Sequence, residues 1–569
     1  MNYFLTLLWL MTASVVLAQT PPKANTFQTL CYHNVVDTIT DPNIMNITTD
    51  QLISHFKWLK ENGYTVISID DIINAKEGKK QLPPLSVLLT FDDGYSSFYT
   101  RIYPLLKLYN YPAVYGLVGK WQETPYDKSF TYGNVTKSRN ILLTWEQVKE
   151  MMDSGLIEIA SHSYNGHFGT LSNPQGNTRP FYSTLMYDKR HKIYEDEATY
   201  IKRVETDIKH SSDTIFEHTG VRPRVMLWPF GAYNFITQEL AAKYGMPITA
   251  TLDNGANTPD DLPALKRVLI SNNIDFSTFF WGLKTYAPDP QRALYVDPDI
   301  IYDNDPKVME KNLGLLIEKI RKYKPSSVFV KAYADTNSDG LADMLYFPNN
   351  ELPVRADILG RMLWQIKRRA NVTFVHAWMP LSAFKVHGKT LSLYKTEDKK
   401  RIKNIYYAMA KHSFFQGILF DNTATNNYRA RTIVSFTKEL EQSIKYFTRK
   451  HQTSLIIQAD SPLIQHRDPY AELLSYFDYV AIDTKNELHS KKQLLYLIDM
   501  LKVSSDALKK TTFKFKEHDY SQKVIADFML ELTLNNAMNL GYESEHYIRE
   551  PSIPKDILTI FSSESNPFE

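Results

Sequence analysis

Short apolar runs alternate with amphipathic stretches through the first half of the chain. The apolar runs predict six strands, at Thr29–His33, Tyr64–Ile69, Ser86–Phe91, Ala113–Val118, Leu156–Ala160 and Arg224–Trp228. Apolar residues at helical spacing predict four helices, at Thr49–Asn62, Phe98–Leu108, Thr144–Asp153 and Glu205–His218. Because strands and helices alternate along the chain, we expect a parallel sheet or barrel in this half.

The same alternation restarts near Pro288. Five further strands are predicted, at Ser327–Ala334, Val372–Trp378, Gly417–Phe420, Ser454–Gln458 and Tyr479–Ile482. Four of them are followed closely by an acid, namely Asp335, Asp421, Asp460 and Asp483. Each acid taken singly is typical of a turn or a helix cap, but the set suggests a cleft for a polyhydroxylated ligand. We therefore expect an α/β fold with two (β/α) barrel-type domains, residues 19–287 and 288–569.

The overall composition is that of a globular protein with room for two domains. The 569 residues are 43% hydrophobic and carry a net charge of only +2, so no electrostatic argument favours a nucleic-acid partner. Cys31 is the single cysteine, which excludes an internal disulfide and is most simply a small buried apolar residue.

The N-terminal segment predicts export. Residues 4–17 form an apolar run that is too short for a comfortable membrane span, and its n-region lacks Lys and Arg. Val16-Leu17-Ala18 places small residues where signal peptidase requires them, so residues 1–18 are expected to be a signal peptide. Gln19 follows the predicted cleavage site where a lipoprotein needs cysteine. We expect an exported, soluble chain without a lipid anchor or membrane span.

Polar residues capable of catalysis follow the strands of the first half. Asp92 and Asp93 come directly after the run Ser86–Phe91, and two adjacent carboxylates are costly to bury without a cation or a proton between them. His33, His162 and His167 follow other predicted strands. An Asp-Gly turn alone would explain the two acids. The convergence of five such residues on strand ends favours a site, because chemistry in parallel barrels lies at the carboxyl ends of the strands.

These residue types suit a divalent cation such as zinc. Two neutral imidazoles and one carboxylate form a ligand set that leaves positions open for water and substrate. One aspartate can bind the cation while the other acts as a general base, and a divalent cation makes water a nucleophile near neutral pH. His33, from another strand, is placed to protonate a leaving amine. A cation, a base and an acid are the components needed to hydrolyse an amide.

Several motifs resemble the polysaccharide deacetylases of carbohydrate esterase family 4. The segments Thr90–Gly94 and Ser161–His167 look like the first two motifs of that family. Residues 30–35, 93–101 and 227–231 are closer to one branch, the two-domain poly-β-1,6-N-acetyl-D-glucosamine N-deacetylases of Gram-negative biofilm systems. The likeness reappears in the second half at residues 332–335, 339–341, 355–357 and 377–380. It therefore covers nearly the whole chain after residue 18.

The resemblance implies a role for each matching residue of the first domain. Asp92 is implied as the base and His33 as the acid. The implied metal ligands are Asp93, His162 and His167, with zinc as the metal and cobalt or nickel as possible substitutes. Trp228 and Phe230 are implied to line the sugar pocket.

One position of the first domain departs from the family pattern. Many relatives carry an arginine just before the Pro-aromatic-Gly motif that tethers the base, and Leu227 stands there in this chain. The base is therefore expected to be oriented by other means, and the enzyme to be a modest one.

The resemblance also implies a role for the second domain and a cellular setting. The domain is expected to be a glycoside-hydrolase-like (β/α)8 barrel that binds the deacetylated polymer through Asp335, Trp378 and Asp421. A glycosidase needs two carboxyl groups, and Asn422 stands where the resemblance would supply the second. The chain is expected in the periplasm, where poly-β-1,6-N-acetyl-D-glucosamine and an outer-membrane export porin are the implied partners.

Two other functions compete with the deacetylase hypothesis. A polysaccharide-binding or export chaperone with a vestigial site would bind the polymer without releasing acetate. A glycosidase whose first domain merely binds sugar is disfavoured by Asn422.

Overall fold

A computed structural model describes most of the chain. The described residues are 25–40, 45–271, 279, 283, 290–424, 428–485, 487–549 and 554–562. The predicted signal peptide, residues 1–18, and the predicted domain boundary at residues 287 and 288 lie outside them. Among the helices of the described ranges, none combines the length and the apolar character needed to cross a membrane.

The first half of the chain forms an eight-stranded parallel sheet. Seven strands follow the order Ile248–Ala250, Val225–Leu227, Ile157–Ser161, Ala113–Leu117, Ser86–Phe91, Phe27–Tyr32 and Val268–Leu269. The eighth strand, Thr65–Val66, pairs with the start of Ser86–Phe91. No pairing between described residues joins the two ends, so the sheet is an open half-barrel. Because the strands are parallel, the residues that follow them meet at one edge.

Helices connect these strands. They are Thr49–Glu61, Ile69–Lys76, Tyr103–Tyr109, Gly119–Gln122, Trp145–Asp153, Glu197–Thr219 and Phe235–Lys243, and a π-helical segment, Phe98–Ile102, leads into the third. Local sequence sets several starts, since Thr48 and Thr144 each accept the backbone N–H three residues on and complete capping boxes. Ser68 caps the second helix in the same way, and this ends the strand expected over Tyr64–Ile69 after Val66.

Both halves of the chain also contain short two-stranded sheets outside the half-barrel and the closed barrel. They are Val35–Val36 with Ile47–Thr48, Ser129–Tyr132 with Val135–Ser138, Gly169–Leu171 with Thr178–Pro180, Tyr187–Asp188 with Ile193–Tyr194, Tyr333–Ala334 with Met344–Leu345, and Lys385–Val386 with Lys389–Thr390.

The second half of the chain is a closed barrel of eight parallel strands. They are Arg292–Val296, Ser327–Lys331, Phe374–Pro380, Gly417–Asp421, Gln452–Gln458, Tyr479–Asp483, Thr511–Lys516 and Asn539–Glu543. The helices of this half are Pro306–Tyr323, Leu359–Arg369, Thr396–His412, Ala430–Ile444, Pro462–Gln465, Arg467–Tyr476, Lys491–Leu501, Gln522–Leu534 and Lys555–Phe561. The α/β class with two barrel-type sheets is confirmed, although three barrel strands were not expected from the sequence.

Candidate active site

The strand Ser86–Phe91 carries two carboxylates to the edge of the half-barrel. All six of its residues are buried, and Asp92 and Asp93 follow directly. Asp93 and Gly94 both have left-handed backbone angles, with φ of 81° and 79°, so the chain turns sharply at this point. The two adjacent carboxylates belong to different groups of side chains. Asp92 lies with Cys31 and His33, whereas Asp93 lies with His162 and His167.

Asp93, His162 and His167 form a group that fits one divalent cation. Each offers one ligand atom, and the three ligand atoms lie within 4.8 Å of one another. Asp93 and His162 are almost fully buried. One carboxylate oxygen and two imidazole nitrogens are the donors that zinc-like ions accept in catalytic sites. The residues predicted to bind metal are therefore together in space.

A backbone carbonyl orients His162. Its Nδ1 lies 2.6 Å from the carbonyl oxygen of Leu227, which can only accept a hydrogen bond. Nδ1 therefore carries the proton, and Nε2 is left with the lone pair that a metal needs. The contact comes from the position where the sequence lacks the expected arginine.

His167 lies among aromatic rings. The ring centroids of Trp121, Tyr132 and Phe230 are 4.9, 5.7 and 4.8 Å from its own. Phe230 is 51% exposed and has φ of 59°, an unusual backbone angle for a bulky residue that is typical of functional sites. Its exposed ring lies beside the predicted metal group, where a sugar could contact it.

Trp228, the other residue predicted to line the sugar pocket, is fully buried. Its ring packs edge-on against Tyr182, with 5.3 Å between the centroids. The indole therefore presents no face to solvent and supports the segment that carries Phe230.

Arg267 holds the second carboxylate. Its Nη1 lies 2.8 Å from Oδ1 of Asp92, and both side chains are almost completely buried. Arg267 immediately precedes the edge strand Val268–Leu269, two strands away from Asp92 in the sheet. The structure thus supplies a tether for Asp92 from a position that the sequence did not single out.

Cys31 and His33 complete the surroundings of Asp92. The Cys31 thiol donates a hydrogen bond of 3.5 Å to Oδ2 of Asp92. Burial raises the pKa of this thiol well above its ordinary value, so it stays protonated and acts as a weak donor. His33 offers a ring nitrogen within 4.8 Å of ligand atoms of Cys31 and Asp92. The residues predicted as base and acid are therefore neighbours.

Charged residues also collect at the carboxyl ends of the barrel strands. Lys514 is buried and pairs with Asp483 at 2.9 Å and with Glu543 at 2.7 Å. Lys331 pairs with Asp297 at 2.8 Å. These five residues form a charged barrel mouth. Phe420 and its neighbours lie in the apolar core. Of the five mouth residues, only Asp483 is among the acids that the sequence pattern places after predicted strands.

Asp421 and Trp378 meet in the same mouth. Oδ2 of Asp421 accepts hydrogen bonds from Nε1 of Trp378 at 2.7 Å and from the hydroxyl of Tyr333 at 3.1 Å. Oδ1 accepts two more, from the backbone N–H and the hydroxyl of Thr423. Asn422 follows with a fully buried side chain. Four donors therefore fix the position of this carboxylate in the barrel mouth.

Asp335 has a local role instead. Its two oxygens accept the backbone N–H groups of Asp339 and Gly340 at 3.0 and 2.8 Å, which closes the loop after Ala334. Asp335 therefore stabilises its own loop through acceptor contacts four and five residues along the chain. Nothing in the described contacts joins Asp335 to the charged barrel mouth.

Two family descriptions match the chain. "Polysaccharide deacetylase" matches residues 79–249, and "hypothetical glycosyl hydrolase family 13" matches residues 295–391. A solved structure of a de-N-acetylase from Aggregatibacter actinomycetemcomitans is 39% identical, covering 45% of this chain and 99% of its own, with a TM-score of 0.42.

Curated relatives match over a greater length. The poly-beta-1,6-N-acetyl-D-glucosamine N-deacetylase of Escherichia coli O157:H7 is 30% identical over 95% of this chain and 92% of its own. The protein of the same name from strain K12 matches to the same extent. The likeness thus runs through both the half-barrel and the closed barrel, and the chain belongs to the poly-β-1,6-N-acetyl-D-glucosamine N-deacetylase family of polysaccharide deacetylases.

Proposed function

We propose that the chain is a metal-dependent hydrolase that removes N-acetyl groups from poly-β-1,6-N-acetyl-D-glucosamine. One observation carries the proposal: a buried Asp-His-His group lies at the same sheet edge as an aspartate held by an arginine. The relatives that match along almost the whole chain are named for this reaction. Partial deacetylation of this kind would serve exopolysaccharide export and biofilm formation.

The chain's own residues account for the proton transfers of amide hydrolysis. A divalent cation bound by Asp93, His162 and His167 would supply Lewis acidity to the acetamide carbonyl and to water. Asp92 takes the proton of the attacking water on Oδ2, since Arg267 engages Oδ1 and the Cys31 thiol is only a weak donor. A new C–O bond then forms at the carbonyl carbon.

Departure of the amine completes the reaction. The C–N bond breaks, the carbonyl carbon leaves in acetate, and the sugar nitrogen needs a proton to leave as an amine. His33 is the proposed donor, because its ring nitrogen lies within 4.8 Å of the carboxylate of Asp92. The exposed ring of Phe230 is the proposed contact for the sugar, and the buried Trp228 supports the segment that carries Phe230.

The metal and the cellular setting belong to the same proposal. Zinc is the proposed metal, with cobalt or nickel able to replace it, because the ligand set contains two imidazoles. Residues 1–18 are the proposed signal peptide, followed by a deacetylase domain at 19–287 and a glycan-binding domain at 288–569. The proposed location is the periplasm, with an outer-membrane porin as the export partner.

The barrel is proposed to bind the deacetylated polymer without cutting it. Four carboxylates at its mouth outnumber two lysines, so the mouth attracts the ammonium groups that deacetylation creates. Trp378 lies in the mouth as a candidate sugar contact. Cleavage needs a protonated carboxyl opposite a second carboxylate, and Asn422 stands beside Asp421 where the family resemblance would supply the second acid.

Acetate release tests the deacetylase proposal directly. We expect the purified protein to release acetate from β-1,6-linked N-acetylglucosamine oligomers and much less from β-1,4-linked ones. A chelator should abolish the release, and zinc, cobalt or nickel should restore it, because the cation supplies the Lewis acid. Full activity after removal of metal would contradict the metal assignment. Polymer binding with no acetate release under any of these conditions would instead favour a vestigial site.

Polymer binding tests the barrel proposal. In the full chain, Asp421→Asn is expected to weaken binding of partially deacetylated polymer by about tenfold, because it removes one buried negative charge. Asp527→Asn makes the same chemical change on an exposed face of the helix Gln522–Leu534 and serves as the control. Isothermal titration measures affinity, and size-exclusion chromatography measures polymer length. Shortening of the polymer that disappears in Asp421→Asn would show that the barrel is a glycosidase.

A further inference from the structure

A buried carboxylate lies beneath the loop that joins the two histidine ligands. Asp207 sits in the middle of the helix Glu197–Thr219 and is only 8% exposed. Charged side chains in that position are rare unless they are hydrogen-bonded on several sides. The reason for burying this one is therefore to be found in its partners.

Three donors converge on Asp207, and two of them belong to the loop. Oδ1 accepts the backbone N–H of Tyr164 at 3.0 Å, and Oδ2 accepts that of Asn165 at 2.7 Å. The hydroxyl of Tyr182 donates to Oδ1 as well. The two backbone donors lie between His162 and His167 in the sequence. The carboxylate therefore binds the segment that connects the two histidine ligands.

The loop needs such a partner because it leaves regular structure at His162. Ser163 has φ of 91°, which only a strongly held backbone sustains in a residue other than glycine. After the strand Ile157–Ser161 ends, the N–H of His162 still donates to the carbonyl of Leu117 in the neighbouring strand. The N–H groups of Tyr164 and Asn165 lie beyond the strand and donate to Asp207 instead. Asp207 accepts these two N–H groups in succession and so gives the loop the partners that the strand no longer supplies.

Tyr182 fixes the other end of the same loop. A Cβ built on Gly166 would lie 2.9 Å from Cζ of the Tyr182 ring, so the backbone just before His167 rests directly on that ring. The same ring donates its hydroxyl to Asp207. Asp207 and Tyr182 together therefore hold the loop from Tyr164 to Gly166.

We propose that Asp207 is a positioning residue that sets the metal affinity of the Asp93, His162 and His167 group. It contacts no ligand side chain, and it acts by holding the backbone that fixes the spacing between the two histidines. Partners that orient metal ligands typically contribute about 10- to 100-fold to metal affinity. This inference rests on the proposed metal site.

Zinc affinity of the full chain tests the inference. Asp207→Asn replaces one accepting oxygen with an NH₂ group that opposes a backbone N–H, and we expect zinc to bind about 10- to 100-fold more weakly. Asp213→Asn makes the same change six residues along the same helix, where the carboxylate pairs only with Lys209 and Arg222 near the surface, and zinc affinity should be unchanged. Competition with a chromophoric chelator gives the dissociation constants.

Two further measurements separate positioning from folding. At saturating zinc, kcat of Asp207→Asn should recover to within a few-fold of the wild type, because the ligands themselves are intact. Tyr182→Phe removes one donor to Asp207 while keeping the ring under Gly166, and we expect a few-fold loss of zinc affinity. If Asp207→Asn fails to fold, Tyr182→Phe decides the question.

The contradicting outcomes are distinct. A lower unfolding temperature with unchanged zinc affinity, in either variant, would make Asp207 purely structural and overturn the inference alone. Failure of the wild-type protein to bind zinc would overturn the proposed function together with it.

Discussion

Asp92→Asn is expected to lower kcat for acetate release by about 10²- to 10⁴-fold while leaving zinc bound. The substitution removes the group that accepts the proton of the attacking water, and general bases typically contribute rate factors of that size. The metal group contains Asp93 and not Asp92, so its affinity for zinc should hold. Steady-state kinetics and metal analysis of the same sample measure both effects.

Asp92→Asn also breaks the ion pair with Arg267, so it should lower stability as well as activity. A second substitution at Arg267 separates the two effects. An amide at position 92 leaves the buried guanidinium without this counterion, and breaking a buried pair costs about 3–5 kcal/mol. Asp92→Asn should therefore unfold at a lower urea concentration. The double variant with Arg267→Met removes the stranded charge, and it should regain stability but not activity.

Substitution of the neighbouring carboxylate, Asp93, is expected to affect zinc binding first, unlike substitution of Asp92. Asp93→Asn and His162→Ala should lose zinc, because each removes a ligand. If Asp92→Asn lost zinc while Asp93→Asn kept it, the two carboxylates would have exchanged roles.

Arg267→Met is expected to lower both kcat and stability although Arg267 is proposed to take no part in proton transfer. Without the 2.8 Å contact the carboxylate of Asp92 is free to shift, and misplacement of a catalytic group by about 1 Å can cost about 100-fold in rate. The buried carboxylate also loses its counterion, at about 3–5 kcal/mol. Urea unfolding and steady-state kinetics measure the two losses.

Matched variants separate this buried pair from ordinary ion pairs. Arg101 and Asp37 form an exposed pair of the same length, 2.8 Å, so Arg101→Met should cost no more than about 1 kcal/mol and leave kcat unchanged. Arg267→Lys keeps the positive charge but loses the planar shape of the guanidinium, and an intermediate kcat is expected. Wild-type activity in Arg267→Met would contradict a tethering role.

The proposed catalytic residues could be predicted because each follows a strand directly. Asp92 and Asp93 come after a continuous apolar run, and His162 comes after another. Parallel strands bring such positions to one edge, so sequence position alone predicts that they lie close together. In the structure Asp93 and His162 lie close together, and the loop after His162 adds His167 to the group.

Arg267 could not be predicted by the same reasoning. It lies 175 residues from Asp92, beside a strand of only two residues, Val268–Leu269, which is too short to leave a hydrophobic pattern. The motif that resembles the family placed the expected arginine at the position of Leu227. The contact depends on which strands are neighbours in the sheet, and that information is absent from any local segment.

Three barrel strands were missed for a different reason. Thr511–Lys516 contains two lysines, and Asn539–Glu543 contains a buried glutamate, so neither resembles a core strand. Their charges are tolerated because the ammonium group of Lys514 lies between the carboxylates of Asp483 and Glu543 and pairs with each of them. The third, Arg292–Val296, begins with a buried arginine. Pairing of this kind exists only once the barrel has closed.

At position 227 the functional group is the backbone carbonyl, which accepts the hydrogen bond of His162, and not the side chain. Every amino acid carries the same carbonyl, so substitution of Leu227 can alter packing but cannot delete the acceptor. Leu227→Met should therefore be tolerated by the histidine, whereas a shift of the backbone, such as proline would impose, should not. The histidine thus takes its orientation from the path of the chain at position 227, and the identity of the side chain there carries no information about this contact.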